Sequence, residues 1–233
     1  MPRRPKQLDL PIREKFEHGG RRKGAGRPKS SDFQSHVART PFQARHPLHV
    51  NIGLTDELAH LDRREIFRAL RAAVSQARKG GLKIAHFIIL SNHLHFIIEA
   101  EGKDRLSQVM QSLGVSFAKR LNAKLKRKGA VLRERYHVHI LKTPSEVKRA
   151  LNYVLSNEYK HQGKKGWIAR NIYSSAVIVA KETWRALLGK DWQKMLDPRD
   201  DDGREASLRI VQELITEPKT WLLKEGWQRA KAA

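Results

Sequence analysis

His93 and His95 flank a single leucine in LSNHLHFIIEA (residues 90–100), and His137 and His139 repeat the spacing around Val138. On an extended strand, residues i and i+2 point to the same face. Each pair would therefore present two imidazoles side by side. Two such nitrogens can hold one edge of a divalent ion such as Mg²⁺ or Mn²⁺, which polarises a phosphodiester and stabilises the charge that develops in its transition state. The spacing equally suits histidines that only pack in a sheet, so from spacing alone both readings stand. The second pair could share the pocket of the first, contact phosphate, or lie on an exposed sheet face.

The rest of the composition narrows the partner. The chain has 233 residues and a formal charge of +23, far beyond the magnitude of roughly 2–8 usual for a small soluble domain. Such an excess repels itself in a compact state and favours a polyanion. Nucleic acid is the leading candidate and an anionic membrane surface the runner-up. No stretch approaches 18 apolar residues, which argues against a spanning helix. The opening MPRRPKQLDLP lacks the apolar core of a signal peptide. The absence of cysteine excludes disulfides and thiolate zinc sites and is compatible with a reducing compartment. The expected location is the cytoplasm, in association with the nucleoid, with no membrane partner.

Several elements must position the histidines. PLHVNIGL (47–54) alternates as a strand with Leu48, Val50 and Ile52 on one face. Residues 56–80 carry Leu61, Ile66, Phe67, Leu70, Ala73, Val74 and Ala77 at helical spacing and end at Gly80–Gly81. Residues 82–90 and 93–100 read as two strands separated by Ser91–Asn92. A second amphipathic helix is expected over 104–129, with Leu106, Met110, Leu113, Phe117, Leu121 and Leu125 on its stripe. RYHVHILK (135–142) is a fourth strand. A third helix over 143–162 has Thr143 or Ser145 as cap, Pro144 early and Glu146 in its first turn.

The order is β-α-β-β-α-β plus a helix, an α+β ferredoxin-like plan. Both helices would cover one face of the antiparallel sheet and leave the other free for a ligand. The expected organisation is a basic, largely disordered tail over 1–45, the ferredoxin-like domain over 46–162 and a helical extension over 163–233. Within the extension, 174–189 and 205–230 read as helical with a loop between them. Trp184, Trp192, Trp221 and Trp227 are expected to pack rather than to stack on bases.

The segments SNHLHFIIEA and LSQVMQSLGVSFAKRLNAKLKRKGAVLRERYHVHILKTPSEVKRALNYVLSNEYKH resemble the Y1 transposases of the IS200 type, in the HUH nuclease superfamily, and within them the REP-associated tyrosine transposases. The likeness covers about residues 45–162. It implies a ferredoxin-like nuclease domain that cleaves and rejoins single-stranded or hairpin DNA with Mg²⁺ or Mn²⁺. It makes His93 and His95 metal ligands. It also implies a helix tyrosine that attacks phosphorus and becomes joined to the 5′ phosphate. Aligned on SLGVSFAKRLN, that tyrosine's position is held by Phe117, which has no hydroxyl. Tyr136, beside His137, and Tyr153, on the third helix, are the substitutes. Asn122 is the candidate third ligand, with Gln111 a weaker one. A descendant that binds nucleic acid without catalysis is the alternative.

DNA would be held by basic side chains. Residues 118–135 contain eight Lys/Arg and one acidic residue. Lys119, Arg120 and Lys124 lie in this run, and Arg133 and Arg135 could clamp phosphate as bidentate donors. His137 and His139 join them as candidate contacts. In the tail, Arg21, Arg22, Lys23, Arg27 and Lys29 suit phosphate contacts to flanking duplex DNA. GRPK at 26–29 is similar to the centre of an AT-hook, although a solubilising arm would have the same composition. Either a monomer or a homodimer is compatible with this pattern.

Overall fold

The computed structural model describes residues 38–59, 61–161, 173–189 and 204–230. The tail candidates Arg21, Arg22, Lys23, Arg27 and Lys29, together with Trp192, lie outside the described residues.

Four strands, β1 (Leu48–Gly53), β2 (Lys83–Ile89), β3 (His93–Glu99) and β4 (His137–Ile140), form one antiparallel sheet in the order β2-β3-β1-β4. Helix α1 (Arg63–Lys79) joins β1 to β2, and α2 (Lys103–Lys124) joins β3 to β4. This is the expected α+β, ferredoxin-like connectivity. The alternation in β1 explains its central place. Leu48, Val50 and Ile52 are buried with Phe87, Phe96, Ile98 and the apolar stripes of α1 and α2 in one core. Phe117, 2 % exposed, belongs to that core.

Helix α1 begins later than the apolar pattern suggests. Asp62 accepts a hydrogen bond from the Arg64 N–H, and a short 3₁₀ turn occupies Asp56–Leu58 instead. Helix α2 ends at Lys124, five residues before the expected boundary. Lys126 adopts a left-handed conformation (φ 50°). The Arg127 N–H donates to the Asn122 carbonyl and the Lys126 N–H to the Ala123 carbonyl. That pair of bonds closes a helix C-terminus, and a lysine holds the place where glycine is usual.

Helix α3 (Pro144–His161) starts with the expected punctuation. The Thr143 hydroxyl accepts from the Glu146 N–H at 3.2 Å, while the Glu146 carboxylate accepts from the Thr143 N–H at 2.9 Å. This is a reciprocal capping box.

The second face of the sheet is less open than expected. Ala85, Ile88 and Ile97 are buried beneath Val147, Leu151, Val154 and Leu155 of α3, with Trp184 and Trp227 from the C-terminal segments. These segments comprise α4 (Lys181–Leu188), α5 (Arg204–Gln212) and α6 (Trp221–Lys224), so 205–230 is broken rather than one helix. Trp184 and Trp227 pack as expected, while Trp221 is exposed.

The same segments satisfy the β2 edge. The Ile89 N–H donates to the Tyr173 carbonyl, the Thr216 N–H donates to the Ile84 carbonyl, and the Ser175 hydroxyl accepts from the Phe87 N–H. At the end of β3, buried Glu99 accepts from the Lys219 and Thr220 N–H groups at 2.8 and 2.7 Å.

Candidate nucleic-acid and metal site

The antiparallel register sets the polar face. His95 pairs with Asn51, and Asn51 pairs with His137. His49 pairs with Ile97 on one side and His139 on the other. Paired residues in a ladder share a face. His49, His93, His95, His137 and His139 thus lie with Asn51 on the face away from α1 and α2. Helix α3 shields the β2–β3 side of this face, leaving the histidines toward β1 and β4.

His93 and His95 lie as the strand period requires, with ring centroids 6.2 Å apart and planes 22° apart. His95 is 5 % exposed and His93 is half-buried. The Nδ1 atom of His95 lies 3.3 Å from Nε2 of His49. Its Nε2 atom lies 3.5 Å from the Tyr153 hydroxyl, at the outer limit of hydrogen-bond reach. The Tyr153 ring stands edge-on to His95 with centroids 5.0 Å apart, and this tyrosine is 40 % exposed.

Burial, with the neighbouring His49 and His93 adding to it, pushes His95 down to about 3. Burial and then His139 push His49 down to about 4. His93 is lowered by burial, then by Arg133 and His137. Neutral imidazoles carry the lone pairs that metal coordination requires. If His95 donates its Nδ1 proton to His49, its Nε2 lone pair points toward Tyr153. A hydrogen bond at one ring nitrogen selects the other as ligand.

Among the described residues, no three His, Cys, Asp or Glu side chains converge on a metal-binding point. A third donor from the described residues would then be of another type. Asn157 follows Tyr153 by one helical turn on α3, is 2 % exposed, and its buried amide nitrogen has no partner among the described residues. Asn51 likewise has a buried side-chain oxygen without a partner among the described residues. An amide's oxygen and nitrogen exchange by a simple flip, so Asn157 can offer an oxygen donor. His93, His95 and Asn157 are compatible with a hard divalent cation in donor type and charge.

The structure separates the other candidates. Phe117 lies in the core against α1, on the opposite side of the sheet from the imidazoles. Asn122 donates to the Gly129 carbonyl at 2.9 Å and holds the loop after α2. Gln111 is exposed on α2, on that same side. Tyr136 lies beneath Arg39, whose guanidinium carbon is 3.6 Å from the ring centroid, and its hydroxyl is 3.4 Å from that of Ser107. Of the two substitute tyrosines, Tyr153 therefore meets the histidines, while Tyr136 faces α2.

Lys119, Arg120 and Lys124 are exposed on α2, away from the histidine face. Arg120 donates to the Ser116 hydroxyl, and Lys124 lies 3.9 Å from Glu65. Arg133 is closer to the site: its N–H donates to the Gly53 carbonyl, and a side chain at position 53 would touch both Arg133 and His93. Arg135 is exposed at the β4 edge. His137 lies 2.8 Å from Glu134, and His139 lies 3.9 Å from Glu146.

Sequence reasoning missed two members of this face. His49 and Asn51 occupy the alternate phase of the β1 pattern whose apolar phase was recognised. It also passed over Asn157, which stands four residues after Tyr153, a spacing that places both on adjoining parts of one helix face.

A solved structure of a REP-associated tyrosine transposase bound to a REP hairpin has the same fold, with a TM-score of 0.52 at 19 % identity. The match covers 73 % of this chain and 96 % of that one. No protein-family model matches the chain, and no curated protein matches it. The fold is therefore Y1 transposase-like.

Proposed function

We propose that this protein binds single-stranded or hairpin DNA and cleaves and rejoins it through a covalent link to Tyr153. The carrying observation is the approach of the Tyr153 hydroxyl to His95, 3.5 Å apart on the partly open face of the sheet. The fold shared with a transposase bound to a DNA hairpin, together with the charge of +23, supports this substrate class.

Tyr153 is exposed enough for its hydroxyl to meet a phosphodiester. In the proposed exchange, the Tyr153 oxygen bonds to phosphorus, and the bond from phosphorus to the neighbouring sugar's 3′ oxygen breaks. The phenol gives up one proton and the released 3′ oxygen takes up one. Rejoining runs the same exchange backward. Helix α3 restrains Tyr153 beside His95, so the nucleophile is oriented before DNA arrives. His49 orients the His95 ring, and Arg133 brings a guanidinium to the His93 side. Mg²⁺ or Mn²⁺ held by His93, His95 and Asn157 would supply Lewis-acid polarisation of the scissile phosphate.

A labelled hairpin with a single-stranded flank, incubated with Mn²⁺ and run on a denaturing gel, tests the reading. A protein–DNA adduct is expected from the wild type and from Phe117→Tyr, and none from Tyr153→Phe or His93→Ala. An adduct that persists in Tyr153→Phe rejects Tyr153 as the nucleophile. Among the described residues, no group of three His, Cys, Asp or Glu side chains is placed to hold a metal ion, and this favours a second reading, hairpin binding without chemistry. Wild-type binding with neither adduct nor cleavage products would select it.

A further inference from the structure

The histidine face continues around the β4 edge into a cavity of about 470 Å³. Arg39, Lys103, Arg135 and Lys142 line it, against one acidic group, Glu146. The Glu146 carboxylate already accepts the Lys142 and Thr143 N–H groups, so it is committed to the start of α3. Phe42, Leu106, Val138 and Ile140 supply an apolar wall. His139 stands at the lip, paired in register with His49 and so in line with His95 and Tyr153.

Arg39 gives the cavity its chemistry. One guanidinium nitrogen donates to the Tyr136 carbonyl at 3.0 Å, and the group stacks on the Tyr136 ring. Its Nε and second terminal nitrogen are buried and have no hydrogen-bond partner among the described residues. Stacking engages the guanidinium face but leaves its in-plane N–H donors unmatched, and an unmatched buried donor is costly. A phosphate oxygen matches such a fork of donors. A cavity of this volume falls within the range of small-ligand sites, about 300–1,000 Å³, and a basic rim with an apolar wall suits a nucleotide's phosphate and base together.

We propose that the β4-edge cavity is a nucleotide subsite, in which Arg39 and Lys142 hold a phosphate of the single strand that leads away from Tyr153 while the apolar wall receives its base. The proposal rests on the DNA reading above and adds to it the path of the strand. Arg39 and Lys142 here are binding residues, distinct from the groups that face the scissile phosphate.

The test uses the full-length protein and two fluorescent hairpins, one blunt and one carrying a single-stranded flank of about 8 nucleotides, within the usual site sizes for single strands. The flank is placed on the 5′ side in one series and on the 3′ side in another. Wild type should prefer one flanked hairpin at least about fivefold over the blunt one, and Arg39→Gln and Lys142→Gln should erase that preference. Each substitution should also lower the log–log salt slope for the flanked DNA by about 0.7, the value for one lost single-strand phosphate contact.

Thermal melting checks that Arg39→Gln is folded. Lys142 is exposed, so Lys142→Gln reports on binding even if Arg39→Gln melts early. Retention of the preference in folded Arg39→Gln, or in Lys142→Gln, overturns the subsite while leaving the DNA reading intact. A wild type that does not distinguish flanked from blunt DNA does the same. A wild type that binds neither hairpin overturns the DNA reading and the subsite together.

Discussion

On the face packed by α1 and α2, the strand positions are all apolar, from Leu48 and Val50 through Phe96 and Ile98 to Val138 and Ile140. On the opposite face, apolar positions stop partway across. Ala85, Ile88 and Ile97 lie under α3, and the strand positions beyond them toward β4 are His49, Asn51, His137 and His139. The contrast between Phe117 and Tyr153 follows directly. Both are aromatic residues on helices that flank one sheet. Phe117 fills volume on the sealed side, whereas Tyr153 lies at the boundary between packed and open surface, where a hydroxyl can meet both an imidazole and a ligand. One sheet thus separates the work of holding the fold from the work of presenting reactive groups.

Exchanging the two aromatics breaks the comparison most sharply. Tyr153→Phe should lower adduct formation by at least about 10³-fold, in line with loss of a nucleophile, with little change in melting temperature. Phe117→Ala should leave the histidine face in place but cost about 3–5 kcal/mol in denaturant unfolding, the range for emptying a buried phenyl site. Similar stability losses from both substitutions would mean that Tyr153 is a packing residue as well.

The next effect concerns the anchor that holds the C-terminal segments beside the sheet. Glu99→Gln weakens a buried carboxylate's bonds to the Lys219 and Thr220 N–H groups. The expected loss is about 1.5–3 kcal/mol for hydrogen bonds to a charged group. Hydrogen exchange should quicken at Thr220 and at the Thr216 N–H on the β2 edge before it does so in α1 or α2.

Taken one histidine at a time, the smallest effect is one of pH. In the unfolded chain His49 and His95 take up protons near 6.5, but burial holds them neutral in the folded protein down to about 4 and about 3. The unfolded state therefore binds more protons across that window. Stability is full above pH 6.5 and falls as pH drops toward 4, by on the order of 1–3 kcal/mol per histidine. Denaturant titrations at several pH values should show this slope, and His49→Gln should make it shallower. An unchanged slope would place His49 in contact with water.

The sealed face was the more legible in sequence. The phase of Leu48, Val50 and Ile52, the stripe through Leu106, Met110, Leu113 and Phe117, and the Thr143–Glu146 cap each follow from a local period or a local bond. The ferredoxin-like order followed from them. The polar face depends on register, which no single segment encodes: Asn51 reaches His95 and His137 only because β1 pairs with both β3 and β4. Aligning the nucleophile on SLGVSFAKRLN pointed to a helix on the wrong side of the sheet for meeting His93 and His95. The closure of the second face by α3 and the C-terminal segments was hidden for a related reason. Trp184, Trp227 and Leu223 are far from β2 in sequence, and an apolar period says that a surface is covered but not by what.

The backbone bonds from Tyr173 and Thr216 to β2 have a consequence for assembly. With that border stapled by its own chain, the sheet can add a strand only beyond β4, which is four residues long and bordered by cations. Whatever associates there competes with its neighbours for a short, strongly charged rim, and a second copy would bring the same charge to it. Lengthening β4 or neutralising its rim is therefore the change that would expose this protein to sheet-to-sheet aggregation.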